Sequence, residues 1–379
     1  MALLDYFTMK KLIFGGLTAF VLTVAIYNMY QGCKKGNDED YFCGEIVSVA
    51  VGNVPTSHVN GKVIELNDAF SGYMSAYDSL ILFLSRQYGD KRIYMFNLST
   101  NSLVSKLITI GKGPNDFYAF THTEQFIVRN GCIKLWGWDD FSGKVKLLNL
   151  TQSIKEQRDV IDSTFIFDWK NNYTRPFGYI FHYKDNSLLI RSQLEMKNFE
   201  DYTPVEFFLS NLHYERIRSY NVYRKPIINR NKNAVHPENY YNSLDRIKPD
   251  RTKLAMGMSM LAQINILDTE TGMIKGYRLE NTPDFTYLAR SPDDFKIFYQ
   301  QTRVDDYFIF SLYSNTLLNN NSYPHVTNEL HIFDWNGNFK HKIILDIYTS
   351  RIAFCPVRKN LYCISQEDEL YCFDLSFLY

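Results

Sequence analysis

Six segments of this chain share one pattern: apolar and polar residues alternate, a short polar residue, usually Asp or Asn, closes the run, and a turn leads into a second strand. They are Arg92–Asn97, Ile133–Asp139, Val205–Ser210, Gln263–Asp268, Glu329–Asp334 and Glu369–Asp374. Alternation in period two is the mark of a half-buried strand. The closest spacings, Asn97 to Asp139 and Asp334 to Asp374, are about 40 residues. That is the length of a four-stranded propeller blade and too long for one rung of a solenoid. The reading is therefore all-β, a six-bladed β-propeller in one domain.

Aromatic residues make up 16% of the chain, with 28 Tyr and 28 Phe, and such residues suit pleated strands better than helices. Lys and Arg balance Asp and Glu at 41 each, so no overall basic field exists to hold a polyanion, and nucleic acid is excluded as a partner. The basic run from Arg224 to Lys232 reads as a solvated loop.

The first 33 residues read as an export segment. Met9-Lys10-Lys11 precedes an uncharged run from Leu12 to Tyr30, followed by Gln31-Gly32-Cys33. A charged start, an apolar stretch and a small residue before a cleavage point are what the secretory machinery reads. Cys33 ends the stretch as a lipobox Cys does, although Tyr30 stands where that motif usually has Leu. Lipidation at Cys33 is one expectation; an uncleaved anchor is the other, since about 19 apolar residues also approach the length of a bilayer span. Either puts the body of the protein outside the cytoplasm. Residues 34–44 form a polar, mostly acidic tether, and residues 45–379 the propeller.

Blade strands follow from the repeats. Second strands are expected at Asp78–Arg86, Phe126–Asn130, Asn186–Gln193, Thr252–Met258, Asp306–Tyr313 and Lys359–Gln366. Turns such as Asp268–Gly272 and Asp334–Gly337 use Asx bonding and a Gly able to take positive φ. Only five residues follow Asp374, so a strand from elsewhere is expected to complete the last blade, and Glu45–Val51 is the expected donor. No cysteine pair has zinc spacing. A two-residue turn at Glu367-Asp368 would set Cys363 opposite Cys372, either as a disulfide or as two small packed residues.

Gly111-Lys-Gly113-Pro114-Asn-Asp-Phe117 resembles the linker common in six-bladed, NHL- and TolB-like propeller lipoproteins of the Bacteroidetes. Lys248-Pro-Asp-Arg-Thr-Lys-Leu-Ala255 resembles the turn-strand of TolB-type repeats. The resemblance implies a lipid-anchored protein of the bacterial envelope, placed at the outer membrane, and assigns no chemistry.

No motif of zinc hydrolysis or of a serine hydrolase is present, and Asp139-Asp140, Asp293-Asp294 and Asp305-Asp306 read as turn residues. No catalytic residue, metal or cofactor is assigned. Excess length falls in Leu194–Pro204, Arg224–Asp245 and Ser314–Asn328. In a propeller these connections leave one face, which is where recognition is expected. Tyr202, Tyr240, Tyr241, Tyr323 and His325 lie in them as candidate ligand-binding residues, suited to stacking on sugars or anchoring a protein. The functional expectation is a lipid-anchored module binding an envelope protein or a glycan on that face. The alternative is a propeller hydrolase or lyase acting on a saccharide or lactone at the axial mouth.

Overall fold

The computed structural model describes residues 38–85, 91–111, 113, 116–139, 142–166, 178–196, 202–225, 240–288, 295–318 and 326–379. The export segment, Cys33, Tyr323 and His325 lie outside these residues. Among the described residues no helix is long and apolar enough to cross a membrane.

The fold is all-β with a propeller-like arrangement of sheets. Four sheets of four or five strands stand separately, beside a two-stranded pair of Glu195–Met196 with Tyr202–Thr203. The first orders Tyr73–Tyr77, Leu80–Leu84, Lys91–Asn97 and Ser102–Thr109 from the inside outward. In the second, Phe120–Thr121 and Phe126–Arg129 both pair with Cys132–Asp139, which is followed by Lys144–Asn149 and Ile161–Ile166. The third holds Tyr179–His182, Ser187–Arg191, Phe207–Asn211 and Arg216–Tyr220. The fourth runs through Ser243–Ile247, Lys253–Met258, Gln263–Asp268 and Ile274–Leu279.

Eight further strands form one sheet, not two separate units. Its path is Lys296–Val304, Phe308–Leu317, Thr327–Asp334, Phe339–Cys355, Asn360–Ser365, Leu370–Asp374 and Lys62–Ile64, with Thr56–Val59 paired alongside Phe339–Cys355. The expected six separate sheets are thus four plus this one. The cause is Phe339–Cys355, whose 17 residues contain neither Gly nor Pro and so nothing to end the ladder. One end pairs with Thr327–Asp334 and the other with Asn360–Ser365; the register shifts near Thr349 in both pairings.

Burial follows position in the sheet. Leu80–Leu84 is buried at four of five positions because both faces are covered by neighbouring sheets, whereas Ile161–Ile166, at an outer edge, alternates half-buried and exposed. Apolar cores lie between successive sheets. Met74, Ile81 and Phe83 of the first sheet share one with Ala353, Tyr362 and Ile364, so the end of the chain packs against its beginning. Another core lies within the eight-stranded sheet, where Phe310, Leu330 and Ile343 meet Ile352, Leu361 and Phe373.

Three sequence expectations are corrected. Glu45–Val49 does not lie outside the last strands; it pairs in parallel with Ile274–Leu279, and the strand beside Leu370–Asp374 is Lys62–Ile64. Phe126–Arg129 belongs to the innermost position of its sheet, and Cys132–Asp139 is the second strand. Cys363 faces Tyr371, while Cys372 faces Tyr362, and both thiols are free. The hairpin carries a three-residue loop with Asp368 at φ 60°, and that one extra residue sends the two side chains to opposite faces. The Asx turns form as expected. Asp268 Oδ1 accepts from the amides of Glu270 and Thr271 at 3.0 and 2.7 Å, and Gly272 takes φ 82°.

In the linker Gly111–Phe117, the Gly113 amide donates to Asp116 Oδ2 at 2.8 Å, and Phe117 is fully buried. Lys146 Nζ lies 3.9 Å from the Phe117 ring centroid and donates to the Asp116 carbonyl at 2.8 Å. Phe117 therefore fills the junction of the first two sheets.

Candidate functional site at the propeller axis

The innermost strands of the sheets surround a bore with a cavity at each end. One, of about 450 Å³, opens near the starts of the innermost strands of the first four sheets and is lined by Tyr73, Arg92, Thr121, His122, Tyr179 and Gln301 among others. This is the face that the long connections leave. The other, of about 280 Å³, opens among tight turns and is lined by Tyr77, Phe126, Lys248, Arg251, Asp306 and Pro356 among others. Glu124, Arg246 and Arg303 line both cavities and form the waist between them.

The waist exists because one inner strand breaks. Between Phe120–Thr121 and Phe126–Arg129 the chain kinks, and Glu124 takes φ 62°, a left-handed conformation that costs a non-glycine residue on the order of 1 kcal/mol. Gln125 pins the kink to the third sheet: its Nε2 donates to the His182 carbonyl and its Oε1 accepts from the His182 amide, both at 2.8 Å.

Glu124 sits between two guanidiniums, with Oε1 at 2.8 Å from Arg246 Nη2 and Oε2 at 3.0 Å from Arg303 Nε. Arg303 also donates through Nη1 to the Thr302 carbonyl at 2.8 Å. Behind Arg246, the fully buried Asp245 accepts from Ser243 Oγ at 2.6 Å and lies 3.4 Å from Arg191 Nε. Burial acts to raise the Glu124 carboxyl, but Arg303 and Arg246 outweigh it and hold it below the usual carboxylate range. Burial pushes the Asp245 carboxyl up, against the opposing pull of Arg191. It also brings Arg303 down to about 10, which leaves it charged at neutral pH.

His122 is lowered to about 4 by burial, with Arg246 and Arg303 adding to the effect and Glu124 opposing it. His182, stacked on Trp136 at 4.2 Å, is lowered to about 4 by burial and by Arg251 and Arg129. The unfolded chain takes up these protons near the ordinary histidine value of about 6.5, and the folded chain only near 4. Between those values the unfolded state binds more protons, so stability falls as pH drops through that window. Allowing for partial solvent access, each histidine contributes on the order of 1–2 kcal/mol. Thermal melts at pH 7 and pH 4.5 should show the drop, and His182→Phe, which keeps a ring against Trp136, should remove about half of it.

The candidate residues from the long connections do not reach this site. Tyr240 and Tyr241 are fully buried and Tyr202 nearly so. They join Tyr41, Phe42, Tyr223 and Phe285 in one apolar core. The N-terminal segment covers them: Asp38 accepts from Arg278 Nη1 and Nη2 at 2.6 and 2.9 Å and from the Phe285 amide at 3.1 Å. Tyr41 then packs 5.3 Å from the Tyr240 ring. The axial residues Glu124, Arg246 and Arg303 were not legible as a set, because strand order and register decide which charges face the bore. Among the described residues no group of three or more His, Cys, Asp or Glu is placed to hold a metal ion.

Neither a protein-family model nor a curated protein matches the chain. Solved structures do. A member of the DUF4221 family from Bacteroides vulgatus is similar at TM-score 0.51 and 11% identity, over 83% of this chain and 95% of that one. A protein described as exported, from Bacteroides fragilis, is similar at TM-score 0.52 and 13% identity, over 86% of this chain and 98% of that one. The likeness is one of fold. It extends over nearly the whole of both bacterial chains and over most of this one.

Proposed function

We propose that the chain is an exported binding protein of the cell envelope, which captures a partner protein or a glycan on the face where the long connections leave, with the axial mouth at its centre. The observation that carries this reading is the larger cavity. It opens on that face, and its rim combines aromatic rings with hydrogen-bonding and cationic groups: Tyr73, itself 43% exposed, with Tyr179, Gln301, His122 and Arg92. Such a set can grip a ligand by stacking, hydrogen bonding and charge. Glu124, the carboxylate at the waist, is held ionised by two guanidiniums, so it does not supply the general acid that a hydrolase needs to protonate a leaving group.

Within this reading the propeller has six blades, the eight-stranded sheet counting as two joined through Phe339–Cys355. The apolar core between its two halves supports that count. The kinship is with NHL- and TolB-like envelope propellers. Export is supported by the N-terminal pattern and by the description of the similar Bacteroides fragilis protein. Lipidation at Cys33 would then tether the propeller to the outer membrane, and intact mass of the membrane fraction against a Cys33→Ala variant tests it.

The binding test is a screen of the full chain against envelope extracts and a glycan array. Tyr73→Ala should weaken capture at least tenfold, whereas Tyr307→Ala, an exposed change on the tight-turn face, should leave it unchanged. Equal loss in both variants, or none in either, would contradict the placement.

A further inference from the structure

We infer that the waist of the bore is a subsite for a carboxylate, and that the ligand entering past Tyr73 and Tyr179 is an acidic sugar of one or two rings. This rests on the binding reading above and names the ligand class for the same mouth.

The charges around the waist do not cancel. Three guanidiniums, Arg191, Arg246 and Arg303, face two carboxylates, Glu124 and Asp245. One positive charge is in excess even with both acids ionised. A buried charge without a counter-ion is costly, and a monoanion in the bore removes that cost.

Geometry supports the same ligand. Glu124 already shows how a carboxylate is received here, bridging Arg246 Nη2 and Arg303 Nε. Arg246 Nε is buried and makes no hydrogen bond among the described residues. Planar guanidiniums match the two oxygens of a carboxylate better than an ammonium does. The strained backbone at Glu124 is the kind of feature that persists where it serves a site.

The entrance favours a sugar over an acidic peptide. Its volume of about 450 Å³ lies in the range of small-ligand pockets. Tyr73, exposed at the rim, offers a ring face for the C–H side of a pyranose, and His122 and Gln301 offer partners for its hydroxyls. His122, neutral at physiological pH, adds no competing charge.

The experiment is calorimetry on the detergent-solubilised full chain with glucuronate, glucose and an N-acetylated aspartyl dipeptide. Glucuronate should bind at least tenfold more tightly than glucose, with the dipeptide no better than glucose. Arg303→Gln should bring glucuronate to the glucose level, and Glu124→Gln, which removes the resident competitor while keeping its shape, should tighten it several-fold. If Arg303→Gln does not fold by circular dichroism, Arg246→Lys keeps the charge, loses the fork, and should weaken glucuronate three- to tenfold. Equal binding of glucuronate and glucose by the wild type, or unchanged glucuronate affinity in a folded arginine variant, overturns the subsite; preference for the dipeptide overturns the sugar. Should none of the probes bind while Tyr73→Ala still abolishes capture in the screen, this inference fails alone. Should that variant also have no effect, the binding reading fails with it.

Discussion

Glu124→Ala should destabilise the protein by about 3–5 kcal/mol, the usual cost of removing one partner from a buried ion pair. Two guanidiniums would be left facing each other in a bore that water reaches poorly, since the Arg303 side chain is 4% exposed and that of Arg246 11%. The alanine would also inherit a backbone at φ 62° with no electrostatic gain to offset it. Urea unfolding of this variant beside Glu367→Ala, an exposed change expected to cost under about 0.5 kcal/mol, measures the difference. High concentrations of a carboxylate ligand should restore part of the loss, because a ligand that binds only the folded state stabilises it by mass action.

Tyr241→Ala should cost a similar amount, about 3–5 kcal/mol, because it empties a fully buried aromatic site. The ring packs 5.0 Å from Tyr223 and 6.1 Å from Tyr240, and the hydroxyl donates to the Arg224 carbonyl at 2.8 Å. Tyr241→Phe removes only the hydroxyl and should cost about 1 kcal/mol. Where the variants remain folded, ligand affinity should not change. A large loss of affinity at unchanged stability would instead return Tyr241 to the recognition surface.

The difference between Tyr241 and Tyr73 shows what the sequence could and could not convey. Alternation and Asx turns encode strands locally, so the strands at Lys91–Asn97, Gln263–Asp268 and Leu370–Asp374 and the turns at Asp268 and Asp334 were legible. An aromatic residue in a long connection reads as exposed when nothing local covers it. The cover over Tyr240 and Tyr241 comes from Tyr41 and Phe42, about 200 residues away in sequence, held by the Asp38–Arg278 pair.

Register failed for a similar reason. Whether the loop after Ser365 has two residues or three turns on Asp368 entering the left-handed region, which the sequence permits without requiring. The long strand Phe339–Cys355 hid the boundary between two repeats because its linking residues, Asp346 to Tyr348, carry no breaker. The axial arginines became meaningful only with strand order in hand. Arg246 and Arg303 lie on innermost strands, and Phe126–Arg129 had to be moved inward before Glu124 could be set between them.

Hydrogen exchange on the full chain, with and without the captured ligand, is the most direct test of where recognition occurs. Protection should appear at residues 73–74, 119–124, 178–179 and 301–303, the segments that line the mouth and the waist. Protection confined to the turns at 248–251, 305–307 and 356–358, with the mouth unchanged, would put recognition on the opposite face and contradict the role assigned to the bore.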